Sequence, residues 1–210
     1  MIRRSFLRRT TLAAIAALGL GIAGLAGAPP AAASTDGAGN FIRALGAQAV
    51  ATLGETQPTR ESLQRLIDTG LDVDSVGRFA LGAFLRQSNP EKVKLYLGVF
   101  RDYVLMSYPD LLAKLKLREI EVLSVKGMDD QTSFVTTRIG HGDSDTVEVG
   151  WYVREIQPGQ YKIQDVQLSG HSLRAFQRAK FEKVLRERWI DGLIKVMQGW
   201  VLTGREEPVL

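Results

Sequence analysis

The chain has 210 residues, with 27 Lys plus Arg against 23 Asp plus Glu, a formal net charge of +4 and no Cys. Without Cys, disulfides, thiolate metal sites, cysteine catalysis and lipid attachment through a cysteine are all excluded. Four of the basic residues (Arg3, Arg4, Arg8, Arg9) fall in the first 33 residues, which hold no acid; the remaining 177 are formally neutral and lack the charge footprint of a nucleic-acid binder.

Residues 1–33 read as an export signal: the four arginines form a basic n-region, 11–27 is an Ala- and Gly-rich apolar stretch, and Ala31-Ala32-Ala33 offers a small-residue cleavage site. The order Arg3-Arg4-Ser5-Phe6-Leu7-Arg8 is similar to the twin-arginine signal that exports folded proteins. The rest, 34–203, is expected to be one domain soluble in the periplasm, long enough to bury a core without staples, with 204–210 as a loose tail.

The helical part is expected over about 37–116. A first helix runs from Asp36 with Phe41, Leu45 and Val50 on one face. A second follows Pro58, with Leu63, Leu66 and Ile67 at helical spacing and Gly70 at its end. Asp72-Val73-Asp74 caps a third, which carries Val76, Phe79, Ala80, Phe84 and Leu85 with Gly82 inside it. Ser88-Asn89-Pro90-Glu91 then starts a helix whose stripe is Val93, Tyr96, Leu97, Phe100, Tyr103 and Val104. Pro109 is expected to stop or kink it, with Asp110 capping a short last helix through Leu115.

Four strands are expected at 118–125, 132–139, 146–155 and 161–168, joined by short turn-rich links that imply antiparallel hairpins. In the third, Val147, Val149, Trp151 and Val153 alternate with Glu148, Gly150, Tyr152 and Arg154, the period of a strand with one buried face. Gly170-His171-Ser172-Leu173 opens the C-terminal helical region, 172–200, one helix or two with a break near Gly192. Helices, then a meander of strands, then a helix predict an α+β fold whose curved sheet is covered by helices on its concave face.

Little in this pattern points to reaction chemistry. His141 and His171 are the only histidines, and neither has a His or Cys at ligand spacing, so no metal or cofactor is expected. Ser172 reads as a helix cap, because Arg174 stands where a nucleophile elbow needs Gly. Asp165 has a catalytic reading, a general base acting on a small ketone, and a structural one, an ionic link to Arg174 or Arg178 or a bond that orders the Gly170 turn. Amphipathic helices over a half-buried sheet either pack solid or leave an apolar slot for an acyl chain.

Several stretches resemble the MlaC-type periplasmic phospholipid-binding proteins, also called toluene-tolerance or ABC transporter auxiliary components. They are Arg78-Phe79-Ala80-Leu81-Gly82, Phe100-Arg101-Asp102-Tyr103 with Tyr108, the run 159–166, Gly170-His171-Ser172-Leu173, Gln177-Arg178, Phe181 and Asp191-Gly192-Leu193-Ile194. Tyr161 stands where that family commonly has Trp, and His171 where it favours a small apolar residue.

The resemblance implies a nuclear-transport-factor-2-like curved antiparallel sheet with added helices enclosing an apolar cavity. It further implies a monomeric lipid carrier, not an enzyme, that shuttles phospholipid between an outer-membrane lipoprotein complex and an inner-membrane ABC transporter with its substrate-binding ring. A hopanoid or other sterol-like ligand, or a ketosteroid-isomerase-like enzyme using Asp165, are the alternatives. On the carrier reading, Phe84, Phe100, Tyr103, Val104, Val147, Val149, Trp151, Val166 and Leu168 are expected to touch lipid tails, with His171 at the rim. Arg178 and Lys183, on the basic face of the C-terminal helix, are expected to dock to a partner.

Overall fold

The computed structural model describes residues 35–53, 59–114, 117–141 and 145–206. The export segment read over 1–33 therefore lies outside the described residues, as does the end of the tail, 207–210. Among the described residues no helix is long and apolar enough to cross a membrane.

The chain forms an α+β fold. Its sheet is antiparallel and sequential, β1 (Leu117–Gly127), β2 (Thr132–His141), β3 (Asp145–Gln157), β4 (Gln160–Leu168) and the two-residue β5 (His171–Ser172). β5 was not among the expected strands; Ser169 and Gly170, both at positive φ, turn the chain sharply enough for Leu168 to pair with His171. Register shifts between Val122 and Ser124 and between Tyr152 and Val153 interrupt the ladders, and such bulges bend a sheet. Across the ladders Val135 faces Trp151 and Trp151 faces Val166, while Thr137 faces Val149 and Val149 faces Leu168. One face of the sheet is thereby set by the period-two pattern.

Six helices accompany the sheet: α1 (Thr35–Leu53), α2 (Arg60–Gly70), α3 (Val73–Leu81), α4 (Phe84–Gln87), α5 (Pro90–Lys114) and α6 (Leu173–Thr203). Their starts follow the expected capping chemistry. Thr59, Asp72 and Ser172 each accept a backbone N–H three residues on, from Ser62, Ser75 and Ala175, and Asn89 accepts that of Glu91.

Two helix expectations are corrected, and the break expected near Gly192 is located. Gly82 is not inside α3 but ends it, at φ +55 and ψ −128, a conformation only Gly adopts without strain. α5 is not stopped by Pro109 and runs on to Lys114; the missing N–H removes one bond, and the tertiary packing of the stripe before it holds the helix. The C-terminal helix breaks at Trp189 (φ +57, ψ −170), three residues before Gly192. Gly192 has another role, since a Cβ there would lie 2.1 Å from the Cβ of Arg188.

Two apolar cores result. α3, α5 and α6 enclose the larger one, in which Tyr96, Phe100, Tyr103, Phe181, Leu193 and Met197 are fully buried and the rings of Phe100, Tyr103 and Phe181 lie about 6 Å apart. The smaller one joins Ala38 and Ile42 of α1 to Val135, Val153 and Ile163 of the sheet. The tail does not hang free over its described part: Glu206 turns back to pair with Lys180 and hydrogen-bonds the Tyr103 hydroxyl.

Candidate functional site

Between α1, α2 and the sheet lies a cavity of about 130 Å³. α1 contributes Ile42, Leu45, Gly46 and Ala49; α2 and the residue after it contribute Leu66, Ile67, Gly70 and Leu71. Ile120, Trp151, Ile163 and Val166 form the sheet wall, and Tyr108 of α5 closes one side. Only Tyr108 and Trp151 carry side-chain polar atoms in this lining. The indole Nε1 of Trp151 donates to Thr137 Oγ1 at 2.8 Å, and Thr137 Oγ1 donates in turn to the Val149 carbonyl at 3.2 Å. With its N–H satisfied inside the sheet, Trp151 presents an apolar ring to the space. Burial pushes the Tyr108 hydroxyl up to about 12, helped by the nearby Asp165 charge, so it stays neutral.

Glycines bring α1 unusually close to the strands. A Cβ on Gly46 would stand 2.7 Å from Ile120 Cδ1, and one on Gly37 would fall within 2.1 Å of the Tyr161 hydroxyl. α1 thus rests on the sheet partly with bare backbone. Such a space, apolar apart from the Tyr108 hydroxyl, can hold hydrocarbon.

The sequence profile of the MlaC protein family matches residues 38–199, most of the chain and every element from α1 to α6. The chain belongs to the MlaC family. A solved structure of similar fold is the phospholipid-binding protein from Ralstonia solanacearum in complex with a phospholipid: TM-score 0.65, 20% identity, covering 80% of this chain and 98% of that one. No curated protein matches the chain.

The residues expected to contact lipid fall into separate groups in this MlaC-family fold. Trp151 and Val166 are paired neighbours in the cavity wall. Val147, Val149 and Leu168 share their sheet face through the register but lie beyond the lining. Phe100, Tyr103 and Val104 are buried in the helical core, where the stripe of α5 packs on α6 and leaves them outside the cavity. Phe84 is half-buried in α4, edge-on to Trp189 at 5.6 Å. His171 is exposed on β5. Arg178 and Lys183 are both exposed but five residues apart on α6, about 140° around the helix, so they do not form one patch.

The lining residues of α1 and α2 were not among the expected contacts, although Leu45, Leu66 and Ile67 were legible as helix faces. Tyr108 was visible only within the family-like stretch. What was missing was the pairing of those helices with the sheet.

Asp165 is committed elsewhere. Its Oδ1 accepts the backbone N–H of Val166 at 2.9 Å and of Arg174 at 3.1 Å, while Arg174 Nε lies 3.5 Å from Oδ2. It is buried and does not line the cavity. The carboxylate ties β4 to the first turn of α6 across the Gly170 turn, the ionic reading given to it above. Among the described residues no three His, Cys, Asp or Glu gather as a metal site.

Proposed function

We propose that this chain is a periplasmic phospholipid carrier that shelters acyl chains under α1 and α2 and shuttles lipid between an outer-membrane lipoprotein complex and an inner-membrane ABC transporter. One observation carries the reading: an apolar cavity between the sheet and two helices, in a chain of the MlaC family. The Ralstonia protein of similar fold, which holds a phospholipid, supports it. The family and that neighbour point to binding and transport rather than to an enzyme.

The energetics set the mechanism. Burying methylenes is worth about 0.8 kcal/mol each, so two long tails represent on the order of 20 kcal/mol removed from water. A bilayer provides similar burial, so exchange between membrane and protein is nearly balanced and its direction is set by partners.

At about 130 Å³ the cavity is close to the ~150 Å³ that accepts one benzene, far short of two acyl chains. Loading therefore requires α1 and α2 to lift from the sheet. α1 suits that motion, because its glycines bury little apolar area and its core with the sheet is the smaller of the two.

The test is native mass spectrometry of the protein recovered from the periplasm, wild type beside Ala49→Phe. Ala49 lines the cavity, whose volume is about that of a space holding one benzene-sized ring. Wild type is expected to carry a diacyl-lipid mass on a chain cleaved near Ala33, and Ala49→Phe to be folded and empty. A hopanoid mass would assign the sterol-like reading instead. Lipid retained at wild-type level in Ala49→Phe would remove this cavity from the mechanism.

A further inference from the structure

At the C-terminal end of α3, the turn at Gly82 is flanked by arginines. Arg78 in the last turn of α3, Arg86 of α4 and Arg178 of α6 line a hollow of about 330 Å³ with Phe79, Gly82 and Ala83. It shares no lining residue with the apolar cavity. Arg174, one turn before Arg178, is held by Asp165 at 3.5 Å. Arg78, Arg86 and Arg178 have no ion pair or side-chain hydrogen bond with any described residue.

The hollow is built rather than incidental. The Arg178 guanidinium carbon lies 5.5 Å from the Phe79 ring centre, with that of Arg174 at 4.5 Å over the same ring. Arg178 also occupies the space a side chain at position 82 would need, since a Cβ there would come within 2.8 Å of its Nε. Gly82 is thus required twice, for its positive φ and for the approach of the guanidinium. The C-terminal end of α3 offsets part of the repulsion between the three cations but gives their planar N–H forks no acceptor of their own.

We propose that this hollow is a phosphate site. Guanidinium forks match the oxygens of a phosphate two at a time, and three of them converging on a concave space suit a compact tetrahedral anion better than the flat face of a protein. The phosphate can be free in solution or belong to the headgroup of an anionic phospholipid. The site shares no residue with the apolar cavity, and Arg178, expected above to dock to a partner, is the one residue it has in common with the carrier reading.

The experiment uses the full exported chain at fixed ionic strength, as wild type, Arg86→Gln and Arg178→Gln. Inorganic phosphate is titrated by calorimetry, and phosphatidylglycerol vesicles are compared with phosphatidylcholine vesicles by co-sedimentation. Wild type is expected to bind phosphate saturably, and each variant to bind about tenfold or more weakly with its fold and co-purifying lipid unchanged. Phosphatidylglycerol-selective sedimentation that either variant loses assigns the headgroup source; phosphate binding without vesicle binding assigns the free ion. The proposal is overturned if wild type binds neither, or if both variants bind as wild type does. It is equally overturned if an acidic peptide occupies the hollow and phosphate does not displace it, which would place a carboxylate-bearing protein partner there.

Discussion

Three of the five tyrosines sit where burial changes their chemistry. Burial pushes Tyr103 and Tyr108 up to about 12 and Tyr96 well above the usual tyrosine value. Tyr96 donates to the Gly77 carbonyl at 3.0 Å, and the Tyr103 hydroxyl lies 3.0 Å from the side-chain amide of Gln177, both with little water near. A tyrosine released by unfolding ionises near 10, so the unfolded chain loses protons first. The stability these groups contribute is intact below pH 10 and falls as pH climbs from about 10 towards 12. A tyrosinate absorbance titration is expected to show three of the five staying protonated until the fold opens. All five ionising together near pH 10 in the folded protein would contradict the burial. Trp151 and Val166 were legible at this scale because strand period alone decides which side chains share a face. Tyr108 was not, because its place depends on α5 continuing through Pro109.

Elements differ from their sequence signals where packing outweighs local preference. Pro109 is a strong local stop, yet α5 carries through it, anchored before that point by a fully buried stripe. Trp189 is the opposite case, with no breaker in its sequence and a backbone conformation nearly confined to glycine. Its ring stays half-exposed against Phe84 while Ile190, Leu193 and Met197 turn into the core on the far side of the kink. Strain of this kind costs on the order of 1–3 kcal/mol, while losing the ring costs about 0.5–1.5 kcal/mol for the aromatic contact and, besides that, about 25 cal/mol for each Å² of its buried half. Trp189→Gly is therefore expected to be more stable in urea unfolding than Trp189→Ala by about 1 kcal/mol, since both lose the ring and only Gly takes this backbone conformation without strain. Trp189→Ala being the more stable of the two by about 1 kcal/mol, the ordinary preference for Ala within a helix, would show that the kink is unstrained.

For the whole molecule, the division into two cores decides which part yields. The helical core is large and interlocked by many aromatic contacts, whereas α1 meets the sheet through glycines, a few aliphatic residues and the contact of Phe41 with Tyr161. Loading with phospholipid should then shift backbone NMR signals of α1, α2 and the inward residues of β1, β3 and β4, leaving the α3–α5–α6 core nearly unchanged. Shifts centred on Phe100, Tyr103 and Val104 would move the storage site into the helical core. That outcome would also restore those three residues as tail contacts.

The four long strands, their pairing order, the capped helix starts and the inward face of β3 were determined by the sequence itself. Each depends on residues within a few positions of one another, where period, turn chemistry and side-chain caps act directly. The void beneath α1 and α2, the course of α5 past Pro109, the kink at Trp189 and the meeting of Arg78, Arg86 and Arg178 at one hollow were decided only by the tertiary structure. They arise from contacts between segments far apart in the chain, and those depend on how whole helices seat against each other and against the curvature of the sheet.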